Sequence, residues 1–302
     1  MRQNFQILCF ILVITFKVKG QLINNNLGRA FEEQPFFNAK EIKQKKIKEI
    51  RCAYFEKKTG ELMKTIGRSV LYRFSSVGTV ISSLDISKTD QLNDSIYNHY
   101  DYLPNGDLRV HRIKTVKDFR ATFYFYDALH NIIRIEHYYD KILNRNFEYP
   151  RFDRGLLIDF ETIRYKDSPN QRKKIVYNSI GNPYLDIVTF TNTKGQLSEI
   201  SKKFKVSSVV DQTKYFYNSQ KVMDSILNFQ SASPLKSSAI KLIYDSRKLL
   251  VAKKLYKVKK LVTNIEYIYS SALNTLSSII IQDLITNNLI IIRFEYTYFD
   301  KK

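Results

Sequence analysis

Four segments of this 302-residue chain repeat one pattern: Tyr126-Asp127-Ala128-Leu129-His130-Asn131, Tyr177-Asn178-Ser179-Ile180-Gly181-Asn182, Tyr217-Asn218-Ser219-Gln220-Lys221 and Tyr244-Asp245-Ser246-Arg247-Lys248. Each closes one aromatic-rich run and opens another. Asp and Asn fold back on their own backbone in turns, and Gly or Asn at the fourth or fifth place accepts a positive φ. The starting aromatics recur at Tyr102, Tyr126, Phe152, Tyr177, Tyr217, Tyr244 and Tyr269, with spacings of 24, 26, 25, 40, 27 and 25 residues. Roughly 25 residues hold two strands and two turns, so the repeating unit is one hairpin. The long spacing contains an extra turn at Thr191-Asn192-Thr193-Lys194-Gly195. Asn105-Gly106 is the strongest hairpin signal. Turns at Lys57-Lys58-Thr59-Gly60 and Ser75-Ser76-Val77-Gly78 begin the array before residue 100.

Between the turns the period is two. Ala121, Phe123 and Phe125 alternate with Thr122, Tyr124 and Tyr126; Ile265, Tyr267 and Tyr269 alternate with Asn264, Glu266 and Ile268. Ile290, Ile292, Phe294, Tyr296 and Tyr298 share a face against Arg293, Glu295 and Thr297. The expected fold is all-β: an extended antiparallel meander of repeated hairpins over residues 50–302, with roughly 16–20 strands. Its sheet is strongly twisted or curls into a half-barrel or shell, because a flat sheet of that size is unusual. Gln230–Ser238 reads as a long hairpin loop. Tyr (21) and Phe (20) are abundant and expected to pair across strands. With 9 Gly and 6 Pro, the composition excludes a collagen-like or disordered chain.

Residues 1–20 read as a signal peptide: Arg2, the apolar run Phe5–Phe16, then Val18 and Gly20 as the small residues before a cut. Residues 21–49 read as a polar leader. Asn38 and Glu41 have the spacing of a capping box for a short basic helix near 39–48, whose apolar Ile42 and Ile47 are few for firm burial. Cleavage removes Cys9 and leaves Cys52, so no intrachain disulfide is expected, and Cys52 reads as a buried strand residue. No transmembrane span remains after the signal, and the location implied is secreted, periplasmic or cell-envelope.

The cassettes resemble the YD repeats of the RHS class of bacterial secreted proteins, and the divergent Tyr-Asp arrays of exported Bacteroidetes proteins, over roughly residues 100–270. Lys221 and Lys248 stand where that pattern usually has Gly. The resemblance implies a β-rich shell or elongated sheet in an exported protein. Large RHS proteins carry a toxin tail; here the last strand run is followed by Asp300-Lys301-Lys302, so that role is not expected to carry over.

The chain has no Gly-x-Ser-x-Gly elbow, P-loop, Gly-x-Gly-x-x-Gly or His-Glu-x-x-His. His99, His111, His130 and His137 are scattered, so neither metal nor cofactor is expected. Asp159 and Glu161, with Asp153 and Glu148 nearby, have the two-residue spacing that puts carboxylates on one strand face, as a glycoside hydrolase would need. The simpler reading makes them the wet side of a half-buried strand whose buried side is Leu156, Ile158 and Phe160. The formal charge of +20 favours anionic partners. Lys253, Lys254, Tyr256, Lys257, Lys259 and Lys260 form the candidate polyanion site, and Lys40, Lys43, Lys45, Lys46 and Lys48 a second basic group. The alternative is that such lysines guard exposed strand edges. These features together predict a non-enzymatic exported scaffold or binding module, partnered by an envelope protein or an anionic polymer. Polyanion binding and carbohydrate hydrolysis are the alternatives.

Overall fold

The computed structural model describes residues 37–88, 93–114, 118–144, 150–207, 209–232, 237–271 and 274–300. The signal peptide, residues 21–36 of the leader, and Glu148 lie outside them. Helix α1 (Ala39–Gln44) precedes eighteen strands. These begin with β1 (Ile47–Lys57), β2 (Lys64–Phe74), β3 (Val80–Lys88), β4 (Asn93–Tyr102), β5 (Leu108–Lys114) and β6 (Phe119–Tyr126). Next come β7 (Ile132–Ile142), β8 (Phe152–Ser168), β9 (Gln171–Tyr177), β10 (Pro183–Thr191), β11 (Leu197–Phe204) and β12 (Val210–Tyr217). The last are β13 (Met223–Gln230), β14 (Ser238–Tyr244), β15 (Leu250–Lys257), β16 (Lys260–Tyr269), β17 (Leu276–Asp283) and β18 (Leu289–Tyr298).

Every strand pairs antiparallel with its neighbours in sequence, and β1 also pairs with β18, placing Cys52 opposite Phe294 and Tyr54 opposite Ile292. The expected meander therefore closes into a complete barrel. Closure removes the sheet edges, which corrects one reading of the lysines: β15 lies between β14 and β16 and guards no edge. The apolar run Leu289-Ile290-Ile291-Ile292 is shielded by pairing with β1 and β17.

Alternation divides the wall into two faces. The first face carries Ile50, Cys52, Val70, Tyr72, Tyr215, Ile240, Leu242, Ile279, Ile292 and Phe294, all buried in one cluster. Each large apolar side chain so buried contributes about 1.5–3 kcal/mol. Burial also pushes the Cys52 thiol up, so it stays protonated and inert. Helix α1 adds to this cluster and departs from expectation twice. Asn38 makes no side-chain cap, and the helix ends at Gln44 because Lys46 turns at φ 53° into β1. Ile42 and Ile47 are nevertheless 0% exposed. They join a cluster that includes Phe37, whose ring meets Tyr72 edge-on at 4.9 Å and Phe74 at 5.1 Å.

The turn cassette has one geometry in seven five-residue turns: Ser75–Thr79, Leu103–Asp107, Asp127–Asn131, Asn178–Asn182, Asn192–Gln196, Asn218–Val222 and Asp245–Leu249. In each, the first N–H donates to the fifth carbonyl and the fourth N–H to the first carbonyl. The fourth residue always has positive φ, even where it is His130, Lys221 or Lys248. The Asp or Asn in first place accepts backbone N–H groups within the turn; Asn218 Oδ1 takes those of Gln220 (3.0 Å) and Val222 (3.1 Å). Asn218→Ala orphans both donors and is expected to cost about 1 kcal/mol, read as a lower denaturant midpoint at unchanged slope.

The aromatic of the cassette has a more specific role than ring pairing. Tyr126, Tyr217, Tyr269 and Tyr296 donate their hydroxyls to the carbonyls of Leu108, Leu197, Leu250 and Leu276, at 2.7, 2.8, 2.9 and 2.5 Å. Tyr165 does the same to Ile132 at 3.0 Å. Each acceptor is the first residue of the preceding strand, so the phenol ties one turn to the next. Burial raises the Tyr126 phenol to about 12, which keeps the donor protonated.

Two cassettes depart from the register. Phe152 opens β8 instead of closing a strand, and β8 runs 17 residues. Three strands, not two, therefore separate Tyr126 from Tyr177, and the Asn178 turn falls on the opposite rim from the Asp127, Asn218 and Asp245 turns. Register shifts at His137/Tyr138 and Tyr139/Lys141 also break the alternation of β8. Leu156, at 72% exposure, and Ile158 are exposed and not the buried side expected of them, and Phe160 is half-buried.

Candidate functional site

Strand geometry disperses the predicted basic site. Lys253 points to the first face, opposite Leu242 and Ile265, and is 1% exposed. Lys254 and Tyr256 take the second face. Lys257, Lys259 and Lys260 gather, exposed, at the β15–β16 hairpin tip. That tip is a two-residue turn with Val258 at φ 48° and Lys259 at φ 62°, a conformation suited to Asn-Gly and unfavourable for a β-branched residue. Replacing Val258-Lys259 by Asn-Gly is expected to stabilise the protein by about 1–2 kcal/mol, seen as a raised Tm. Of the second basic group, Lys45 pairs with Glu41 at 3.5 Å.

Asp159 and Glu161 do share the first face, opposite His137 and Ile135. The Ser179 side chain and the Phe160 N–H, the latter at 2.8 Å, hold the exposed Asp159 carboxyl below its ordinary range. Glu161 accepts the Tyr184 hydroxyl. Asp153 lies beyond both register shifts, opposite Lys141. A glycosidase acid needs a raised pKa; Asp159 is shifted the other way.

The histidines are separately engaged. His111 stacks on Tyr100 at 4.7 Å, His137 meets Thr122, and His130 Nδ1 lies 2.7 Å from Asp107, linking adjacent turns. Among the described residues no three metal-ligating groups converge. His99 belongs to a charge network absent from the sequence reading. The Arg112 Nε donates to Asp140 at 2.8 Å and its Nη1 to Asp101 at 2.5 Å, while His99 Nε2 lies 3.1 Å from Asp101. Phe152 covers the guanidinium at 4.3 Å. Burial alone would raise the Asp101 carboxyl, but the bonds from His99 and Arg112 outweigh it and hold the group at about 2.

The second face opens a cavity of about 800 Å³ near the rim that bears the Asn192 and Asn218 turns. Its wall is a lateral row across four strands, Gln171 opposite Phe190, Phe190 opposite Glu199, and Glu199 opposite Lys214. Phe216 stands two residues further along β12, 48% exposed. Lys194 and Lys221 project from the two turns into its lining. No sequence signal assembles these residues, which come from three hairpins.

Among the described residues, each face of the wall carries charged side chains. On the second face Arg51 stands opposite Glu295, and Lys214, Lys241, Glu266 and Arg293 are exposed; the first face has Lys253, Asp159 and Glu161.

No family model and no curated protein matches the chain. Among solved structures it is similar to a porin-like protein from Bacteroides uniformis, at 8% identity and a TM-score of 0.41, over 83% of this chain and 98% of that one. A porin-like protein from Bacteroides vulgatus aligns at 10% identity and a TM-score of 0.34, over 82% and 98%. A Photorhabdus luminescens Tc holotoxin pore aligns at 11% identity and a TM-score of 0.22, over 73% of this chain and 14% of that one.

Proposed function

We propose that this chain is a non-enzymatic, exported β-repeat protein of the cell envelope, a divergent relative of YD-repeat proteins whose closed wall serves as a frame for binding. One observation supports the non-enzymatic reading: the buried charges around Arg112, and the Glu161 carboxylate proposed for hydrolysis, are already engaged by neighbouring side chains. Arg112 is shared between Asp101 and Asp140, and Glu161 accepts the Tyr184 hydroxyl. The seven equivalent turns and the tyrosine ties support the kinship with YD repeats.

The test is expression of the full chain in a bacterial host with fractionation and intact-mass analysis. The expected product begins at Gln21 and lies outside the cytoplasm, and the purified protein releases no reducing ends from a polysaccharide panel. Full-length cytoplasmic protein, or reducing-end release abolished by Glu161→Gln, contradicts the reading.

A further inference from the structure

We propose that the cavity on the second face binds an acidic saccharide, a chain of uronate sugars, an assignment that rests on the binding-module reading. Its volume of about 800 Å³ suits a few sugar units. Phe190 and Phe216, on the same face of β10 and β12, offer apolar ring surface for the C–H faces of sugar rings. Lys194, Lys214 and Lys221 surround that surface. Lys214 is held only loosely by Glu199, at 3.9 Å, and Lys194 and Lys221 make no ion pair among the described residues. Three ammonium groups against one carboxylate favour an anionic ligand.

The polar lining separates a saccharide from a nucleic acid. Glu199 sits in the lateral row between Phe190 and Lys214. A carboxylate there accepts hydrogen bonds from sugar hydroxyls, which every uronate unit carries and a DNA backbone lacks. Gln171, Thr193 and Ser198 add neutral donors and acceptors to the lining. Asn192 and Asn218 are instead committed to their turns.

The test is calorimetric titration of the full protein with tetragalacturonate, with maltotetraose and a four-nucleotide DNA as comparison ligands. Tetragalacturonate is expected to bind and the other two to bind at least tenfold more weakly. Phe216→Ala and Lys214→Gln each lower the affinity tenfold or more, Lys221→Gln by a smaller factor, and Lys259→Gln leaves it unchanged. Phe216 and Lys214 are exposed, so neither variant endangers the fold. Absence of tetragalacturonate binding, equal affinity for either comparison ligand, or sensitivity to Lys259→Gln in place of the cavity variants overturns the assignment. None of those three touches the non-enzymatic reading, which fails separately if the titrated probe is found cleaved.

Discussion

Arg112→Ala is expected to destabilise the barrel by about 3–5 kcal/mol, because it strands a buried carboxylate without its partner. Asp140 is fully buried and Arg112 nearly so, and the Nε–Oδ2 bond of 2.8 Å is the short contact that Asp140 has; the Gly155 N–H reaches its other oxygen at 3.4 Å. Val110, Phe119, Phe123 and Phe152, which pack around the pair, carry no side-chain donor. Replacing both charges tests whether the loss is the orphaned carboxylate or the pair itself. Arg112→Met with Asp140→Leu should recover most of the stability, since a buried pair exchanged for well-packed apolar residues is often neutral. Equilibrium urea unfolding of the three proteins measures both.

The same network sets a pH dependence. The Asp101 carboxyl is depressed to about 2 in the folded chain, against about 3.9 in an unfolded one. A depressed folded pKa contributes stability that is fully present above the unfolded value and is lost as pH falls through the folded value. Wild-type protein should therefore lose stability between about pH 4 and pH 2, and the Arg112→Ala variant should show a shallower loss over that range.

Gly78→Ala is the second large effect, and Gly106→Ala is its control. Both glycines occupy the fourth position of the same turn type, at φ 92° and 93°. A Cβ at Gly106 meets nothing within 4 Å, whereas one at Gly78 would sit 1.9 Å from the Ala39 carbonyl oxygen. Gly106→Ala should cost only the left-handed backbone penalty, about 1–2 kcal/mol. Gly78→Ala adds displacement of α1, and with it the burial of Ile42, worth about 1.5–3 kcal/mol. Urea midpoints should rank wild type above Gly106→Ala above Gly78→Ala, and proteolysis near residue 45 should accelerate only in the last.

What was legible in the sequence follows from the range of the interactions involved. The Asx turn is a local event, so Asn105-Gly106, Asp127, Asn192, Asn218 and Asp245 announced themselves, and period-two runs gave the strands between them. The tyrosines were recognisable as structural, but their acceptor was not, because a backbone carbonyl on the preceding strand has no side-chain signature. Closure was out of reach for a related reason: the pairing of Cys52 with Phe294 joins the two ends of the array, and nothing local distinguishes it from an open edge. Bulges defeated the alternation argument on β8, where one extra residue reverses every later side chain. Lys253 shows the same limit at a single site, since a lysine-rich run reads as exposed until the register turns one member inward. The Arg112 network and the cavity join residues from hairpins far apart in sequence, and only the folded wall brings them together.

The wall closes through the pairing of β1 with β18. In a closed barrel every amide of these two strands is hydrogen-bonded, half to each neighbour, whereas in an open meander each would be an edge strand with alternate amides free. Hydrogen–deuterium exchange followed by mass spectrometry on peptides covering residues 47–57 and 289–298 measures this directly. Closure predicts that both peptides stay as protected as those from β2 and β17, with no rapidly exchanging half. Exchange of about half their amides within the first seconds would contradict it.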